Sequence, residues 1–328
     1  MGIFGAIRSM AAGDFNEVRE GQPDFASLGA PRLADMRREL ESGSLAPARA
    51  FDDAGAQLDY FSWELSSPRG LPTEVLRSWH QADASAVTAA LVGQALVRDA
   101  WAIRTGVWAK NVDVNAWEPF FDAAQSAEAF LVEAVDAYPD SHLPWVPIIT
   151  LGRALQADID EKIGRFEQAN ERKAWDFYAC AELLQGLAEK WTDDAGVSWG
   201  FAREVVNQTP PESPSRAVLA HAAIEAYGKP FEPKLKSDLY EELADIFTLF
   251  VAATGSTPGP EELQALASFV VAVQPKDKRV AQTIEESIAR LGGRCGGFPW
   301  DTGDDPLFVF DGTMNKRRRE AAAILGRG

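Results

Sequence analysis

Ala137-Tyr-Pro-Asp-Ser-His-Leu-Pro-Trp145 separates two apolar-periodic runs. Upstream, residues of about 116–138 keep helical periodicity, and Pro139-Asp140 ends it. Proline lacks an amide donor and turns the residue before it away from helix. Downstream, a new helix is expected over about 142–155. Two more stretches are built alike: Ala169-Asn-Glu-Arg-Lys-Ala-Trp175 and Asn207-Gln-Thr-Pro-Pro-Glu-Ser-Pro-Ser215. Each follows one helix and opens another, at a spacing of about 30 to 38 residues, the length of one helix–turn–helix unit. Such a hairpin leaves an apolar face bare and covers it by stacking on its neighbour.

Working outward, Leu33, Met36 and Leu40 predict a helix over 32–42, with Pro31 near its first turn and Gly43 just past its end. Phe51, Ala54, Leu58 and Phe61 share one face of a helix expected from about Pro47 to Leu65, broken by Ser66-Ser-Pro-Arg-Gly70. Glu74–Gln81 is a short helix and Ala84–Gly106 a long one. Beyond 155 the pattern predicts helices at about 158–169, 173–190, 196–208, 214–227, 235–253, 260–273, 277–291 and 314–325. Leu307–Phe310 is the single β-like run, without a partner strand. The fold class expected is all-α: stacked antiparallel helical hairpins, a tetratricopeptide-like α-solenoid with roughly two-thirds of its residues helical. Three parts are expected: an N-terminal segment (1–30), the hairpin array (31–228) and a C-terminal helical extension (229–328) containing a glycine-rich loop at 292–305.

Of 328 residues, 32 are basic and 49 acidic, a net charge of −17. A nucleic-acid binder needs a basic face and is not expected. Hydrophobic residues are 46% and charged residues 25%, the balance of a folded chain. Two cysteines, Cys180 and Cys295, build neither a disulfide framework nor a four-cysteine zinc site. His80, His142 and His221 include no pair at metal-ligand spacing, so no metal or cofactor is expected. The longest uncharged apolar stretches fall short of the about 18 residues of a membrane span, and Met1–Arg8 does not read as a secretory leader. A cytoplasmic location is the expectation. Ile3, Phe4, Ile7 and Met10 form an apolar stripe. It reads as a terminal helix docked on the array, or as a weak membrane-surface contact by residues 3–10.

Gly196-Val-Ser-Trp-Gly200 matches the letters of a nucleophile elbow. The elbow needs a strand to deliver its serine to a strained turn, and Lys190–Ala195 is a polar turn, so no catalytic residue is assigned. Trp101, Arg104 and Trp108 fall at i, i+3 and i+7 on one helical face. Trp199 and Arg203, and His221 and Glu225, are each i, i+4 pairs. Two readings compete. Either indoles fill inter-helix space and arginines satisfy carboxylates and helix-end carbonyls, or Trp and Arg line a groove that grips a peptide. The groove reading selects Trp101, Arg104, Trp108, Trp145, Arg153, Trp199, Arg203, His221 and Glu225. Asp158–Glu161 and Glu241–Asp245 read as solvated faces. Lys316-Arg-Arg-Arg319 reads as packing on acidic neighbours or capping the array.

Residues from about Leu33 to Tyr227 also resemble a bacterial family, domain of unknown function 4034. The segments that carry the resemblance are Ala100–Arg104, Pro139–Trp145 with Gly152-Arg153-Ala154, Phe166 and Ala169, Lys190-Trp191, Trp199–Arg203, Pro210 with Ser213-Pro214, and Ala220-His221 with Glu225. The resemblance implies a tetratricopeptide-type array and no particular chemistry. The function expected is a non-catalytic helical-repeat scaffold for protein–protein interaction, with a protein or peptide partner of basic character. One special form is an immunity or antitoxin-like inhibitor of a basic toxin. The competing class is an enzyme with a polar cavity around Arg104, Arg203, His221 and Glu225.

Overall fold

The computed structural model describes residues 31–55, 58–66, 70–105, 109–226, 235–292 and 306–327. The stripe at residues 3–10, Trp108 and positions 293–305 of the glycine-rich loop lie outside the described residues. Among those described there are 16 α-helices, 79% of residues are helical, and no strand occurs.

Contacts divide the chain into two compact units, Arg32–Val205 and Val206 onward. The first unit holds α1 (Pro31–Glu41), α2 (Pro47–Ala54), α3 (Leu58–Ser66), α4 (Thr73–Ala82), α5 (Ala86–Arg104), α6 (Trp117–Ala137), α7 (Trp145–Ala154), α8 (Ile159–Arg172), α9 (Phe177–Gly186), the single turn α10 (Glu189–Thr192) and most of α11 (Ala195–Gln208). The second holds α12 (Val218–Ala226), α13 (Ser237–Ala253), α14 (Pro260–Ala272), α15 (Lys278–Leu291) and α16 (Pro306–Leu325). The sequence places a boundary at 228/229. The structural division comes earlier because α12, buried from Val218 to Ile224, packs against α14.

Helix starts follow side-chain capping. Ser85 Oγ accepts from the Thr88 amide while Thr88 Oγ1 accepts from the Ser85 amide, a reciprocal box that opens α5. Asp158, Asp176 and Asp277 each accept an amide three residues on, at 2.8, 2.9 and 2.9 Å, and open α8, α9 and α15. Each such cap is worth about 0.5–2 kcal/mol. Helix ends are capped by arginines from elsewhere. Arg98 donates to the Ser66 carbonyl ending α3, Arg216 to Val206 of α11, Arg290 to Val251 of α13, and Arg317 to Val270 and Val271 of α14. A guanidinium there satisfies orphan carbonyls at the negative end of the helix dipole. Arg317, 0% exposed, is the member of the basic run 316–319 seen to cap a neighbouring helix, while Arg318 and Arg319 are exposed.

Three expectations need correction. The helix expected over 47–65 is two helices, because Gly55 adopts φ +52° and ends α2. The helix expected over 173–190 begins only at Phe177, since Trp175 takes φ +54° and Asp176 then caps. Leu307–Phe310, read as β-like, lies inside α16.

The core of the first unit is the α5–α6–α7 packing of Val97, Ala100, Phe120, Ala124, Ala127, Leu131, Ile148 and Leu151. Helix α5 is the one described helix long and apolar enough to cross a membrane by length and composition; its buried face packs within the unit. In the second unit Phe269 stacks on Phe247, with centroids 5.2 Å apart.

Candidate functional site

Trp101, Trp117 and Trp191 of the first unit gather around Arg104, with Arg153 beside Trp101. Arg104, on the last turn of α5, is 7% exposed. Its guanidinium carbon lies 5.2, 5.4 and 5.8 Å from the ring centroids of Trp101, Trp117 and Trp191. Arg153 of α7 lies 5.8 Å from the Trp101 ring and pairs with Glu182, which also accepts from Thr150 Oγ1. Trp101 packs on Phe120 and Trp191. Cations over indole faces in a water-poor interior are worth about 1–2 kcal/mol each. The cluster draws in Trp117 and Trp191, which the one-face spacing did not select, and its three indoles are half-buried.

The remaining candidates are dispersed. Trp145 is half-buried, with Arg172 over its ring at 5.3 Å. Trp199 is half-buried and Arg203 exposed, both on α11 of the first unit. His221 belongs to the second unit and is buried, its Nε2 2.8 Å from Ser268 Oγ. Glu225, also there, is half-buried. Ser198 lies in the first turn of α11, 8% exposed, with no strand before it. Cys180 is fully buried, and burial and then the Asp176 carboxylate push its thiol pKa well up, away from nucleophilic chemistry.

A polar pocket not selected from the sequence opens beside α3 and α5. It is lined by Asp59, Ser62 and Ser66 of α3, Gln94 of α5, His142 and Leu143 before α7, Val146 and Pro147 of α7, and Asp176 and Tyr178 at the start of α9. His142 Nε2 is 3.1 Å from Asp59 Oδ1. The Lys173 ammonium donates to Asp59 Oδ2 and, at 2.7 Å, to Asp176 Oδ2. Asp176 Oδ1 is held by the Ala179 amide, so capping of α9 also aims this carboxylate. Two carboxylates and an imidazole present ligand atoms all within 4.8 Å of one another. No pair of histidines could reveal this group, because its members come from three separate parts of the chain.

The outer face of α6 has a different character. Glu118, Asp122, Gln125, Ala129, Val132, Glu133 and Asp136 are exposed, and their spacing places them on one stripe. The 21-residue helix contains no Lys or Arg. Its half-buried Glu128 is paired with Arg165 at 2.7 Å, whereas the four exposed carboxylates make no ion pair among the described residues. Val132 is 48% exposed in their midst.

No protein-family model matches the chain, and no curated protein and no solved structure matches it.

Proposed function

We propose that the protein is a non-catalytic scaffold of stacked helical hairpins that binds a basic protein through the outer face of α6. The observation that carries this reading is the α6 stripe, with four exposed carboxylates, unpaired among the described residues, around Val132 on a helix without a basic residue. Such a face attracts a positive surface over about 8–10 Å at physiological salt and speeds encounter. Val132 supplies an apolar contact once the surfaces meet. A basic toxin is one partner that fits.

Hairpin stacking is supported by packing between helices two apart in the chain. In the first unit α3 packs on α5, α5 on α7 and α7 on α9. In the second, α12 packs on α14, α13 on α15 and α14 on α16. Repeats that contact their neighbours in this way form arrays of the tetratricopeptide kind. Against the enzymatic alternative stands the interior placement of Arg104 and His221, whose polar atoms face protein groups.

The test places a photo-crosslinking residue at Gln125 in cells and identifies the protein captured. The partner is expected to present a basic surface, and Asp122→Lys with Glu133→Lys is expected to weaken its binding at least about tenfold without lowering the melting temperature. An acidic partner, or equal binding by the charge-reversed protein, overturns the proposal.

A further inference from the structure

We propose that the pocket beside α3 and α5 is a divalent transition-metal site, with Asp59, His142 and Asp176 as ligands and the Lys173 ammonium as the cation that holds the carboxylates in the metal-free protein.

The donor set is the first argument. Imidazole nitrogen with two carboxylate oxygens suits zinc, cobalt, iron or manganese and is a poor set for calcium, which takes oxygen alone. Ligand atoms around a tetrahedral ion with bonds of about 2.1 Å are roughly 3.4 Å apart. His142 Nε2 and Asp59 Oδ1 are already 3.1 Å apart, and the widest separation in the set is within 4.8 Å. A small closure of the carboxylates completes the fit. Asp176 is held for this role, since its other oxygen is fixed by the Ala179 amide.

The second argument is the cation already present. Lys173 bridges Asp59 and Asp176, so the field at that point demands positive charge. Its side chain is 39% exposed on a loop and carries four flexible carbons, so it can leave toward water. A doubly charged ion attracts the same two carboxylates more strongly than an ammonium does.

The third argument is independent of the charged residues. Ser62, 7% exposed, has a buried hydroxyl with no hydrogen-bond partner among the described residues, and it lines this pocket. The buried Gln94 Oε1, also on the wall, is likewise without a partner among the described residues. Leaving a buried polar atom unpaired costs about 1–3 kcal/mol. Water bound to a metal ion supplies the missing partners, because such an ion keeps one or more waters beside three protein ligands.

The test uses the tag-free full chain, stripped with chelator and titrated with Zn²⁺ and Co²⁺ against a chromophoric competitor. One equivalent is expected to bind, with the visible spectrum of Co²⁺ changing to that of a nitrogen–oxygen site. His142→Gln is expected to lower affinity by at least about tenfold. Lys173→Ala, which removes the competing ammonium, is expected to raise it roughly tenfold. That gain distinguishes a metal site from an internal ion pair, and a misfolded variant cannot mimic it. Absence of binding by both the natural protein and Lys173→Ala overturns the proposal, as does binding that His142→Gln leaves unchanged. Neither result bears on the α6 stripe.

Discussion

His221 is 4% exposed on α12, and burial pushes its pKa down to about 4, with the Glu225 carboxylate opposing the shift. In the unfolded chain the imidazole titrates near 6.5. Above that pH both states are neutral and the fold keeps its full stability. As pH falls from about 6.5 to 4 the unfolded state takes up a proton that the folded state refuses, and stability is lost. The difference corresponds to on the order of 3 kcal/mol. The urea midpoint is therefore expected to fall between pH 7 and pH 4.5, and more steeply than in His221→Gln, which has no titrating ring. Parallel slopes for the two proteins would sink this account. The sequence showed that His221 and Glu225 share a helical face. It could not show that His221 is turned inward, because apart from His221 and Glu225 the helix Val218–Ala226 is apolar all round. Trp101 and Arg104 were legible in the same partial way, while Trp117 and Trp191 reach the cluster only through folding.

Two glycines in helix interiors show how packing overrides propensity. Alanine in place of helical glycine gains about 0.8–1.0 kcal/mol from propensity alone. On α8, Gly164 has open space where a Cβ would stand, so Gly164→Ala is expected to raise stability by up to that amount. On α5, a Cβ at Gly93 would lie 2.2 Å from Leu131 Cδ2 and 2.8 Å from Leu131 Cγ of α6. Leu131 is 0% exposed, in the core between α5 and α6, and overpacking of this kind costs about 1–3 kcal/mol. Gly93→Ala is therefore expected to destabilise, with Gly93→Ala/Leu131→Ala less destabilising than the sum of its parts. Urea unfolding of the four variants checks both signs; stabilisation by Gly93→Ala would show that α5 and α6 are not so closely packed. Helix limits were legible where a local cap sets them, as at Asp158 and Asp277. They were missed at Gly55 and Trp175, where the chain turns through positive φ without a proline to announce it.

With a net charge of −17, the molecule repels itself on average. Its solvent-exposed ion pairs, such as Arg279–Asp245, are each worth about 0–1 kcal/mol and do not offset this. Raising NaCl from roughly 0.05 to 0.5 M shortens the Debye length severalfold. The melting temperature is expected to rise by roughly 2–4 °C, as a change of about 1 kcal/mol does in chains of this order. The complex with a basic partner on α6 is expected to respond the opposite way and weaken. A melting temperature that falls with salt would mean that favourable ion pairs outweigh the repulsion.

The all-α class and most helix positions were written in local order, because 3.6-residue periodicity, proline stops and aspartate caps act within a few residues of one another. Net charge was likewise readable by counting. The pocket was not. Asp59, His142, Lys173 and Asp176 each look ordinary in sequence: a carboxylate in a helix, a histidine in a turn, a lysine and a cap before the next helix. Their meaning comes from distances between parts of the chain far apart in sequence, which helix packing sets and no spacing rule encodes. The same holds for the indole–guanidinium cluster. One helical face nominated Trp101 and Arg104, but whether that face met water or other helices depended on where α6, α7 and α10 came to rest.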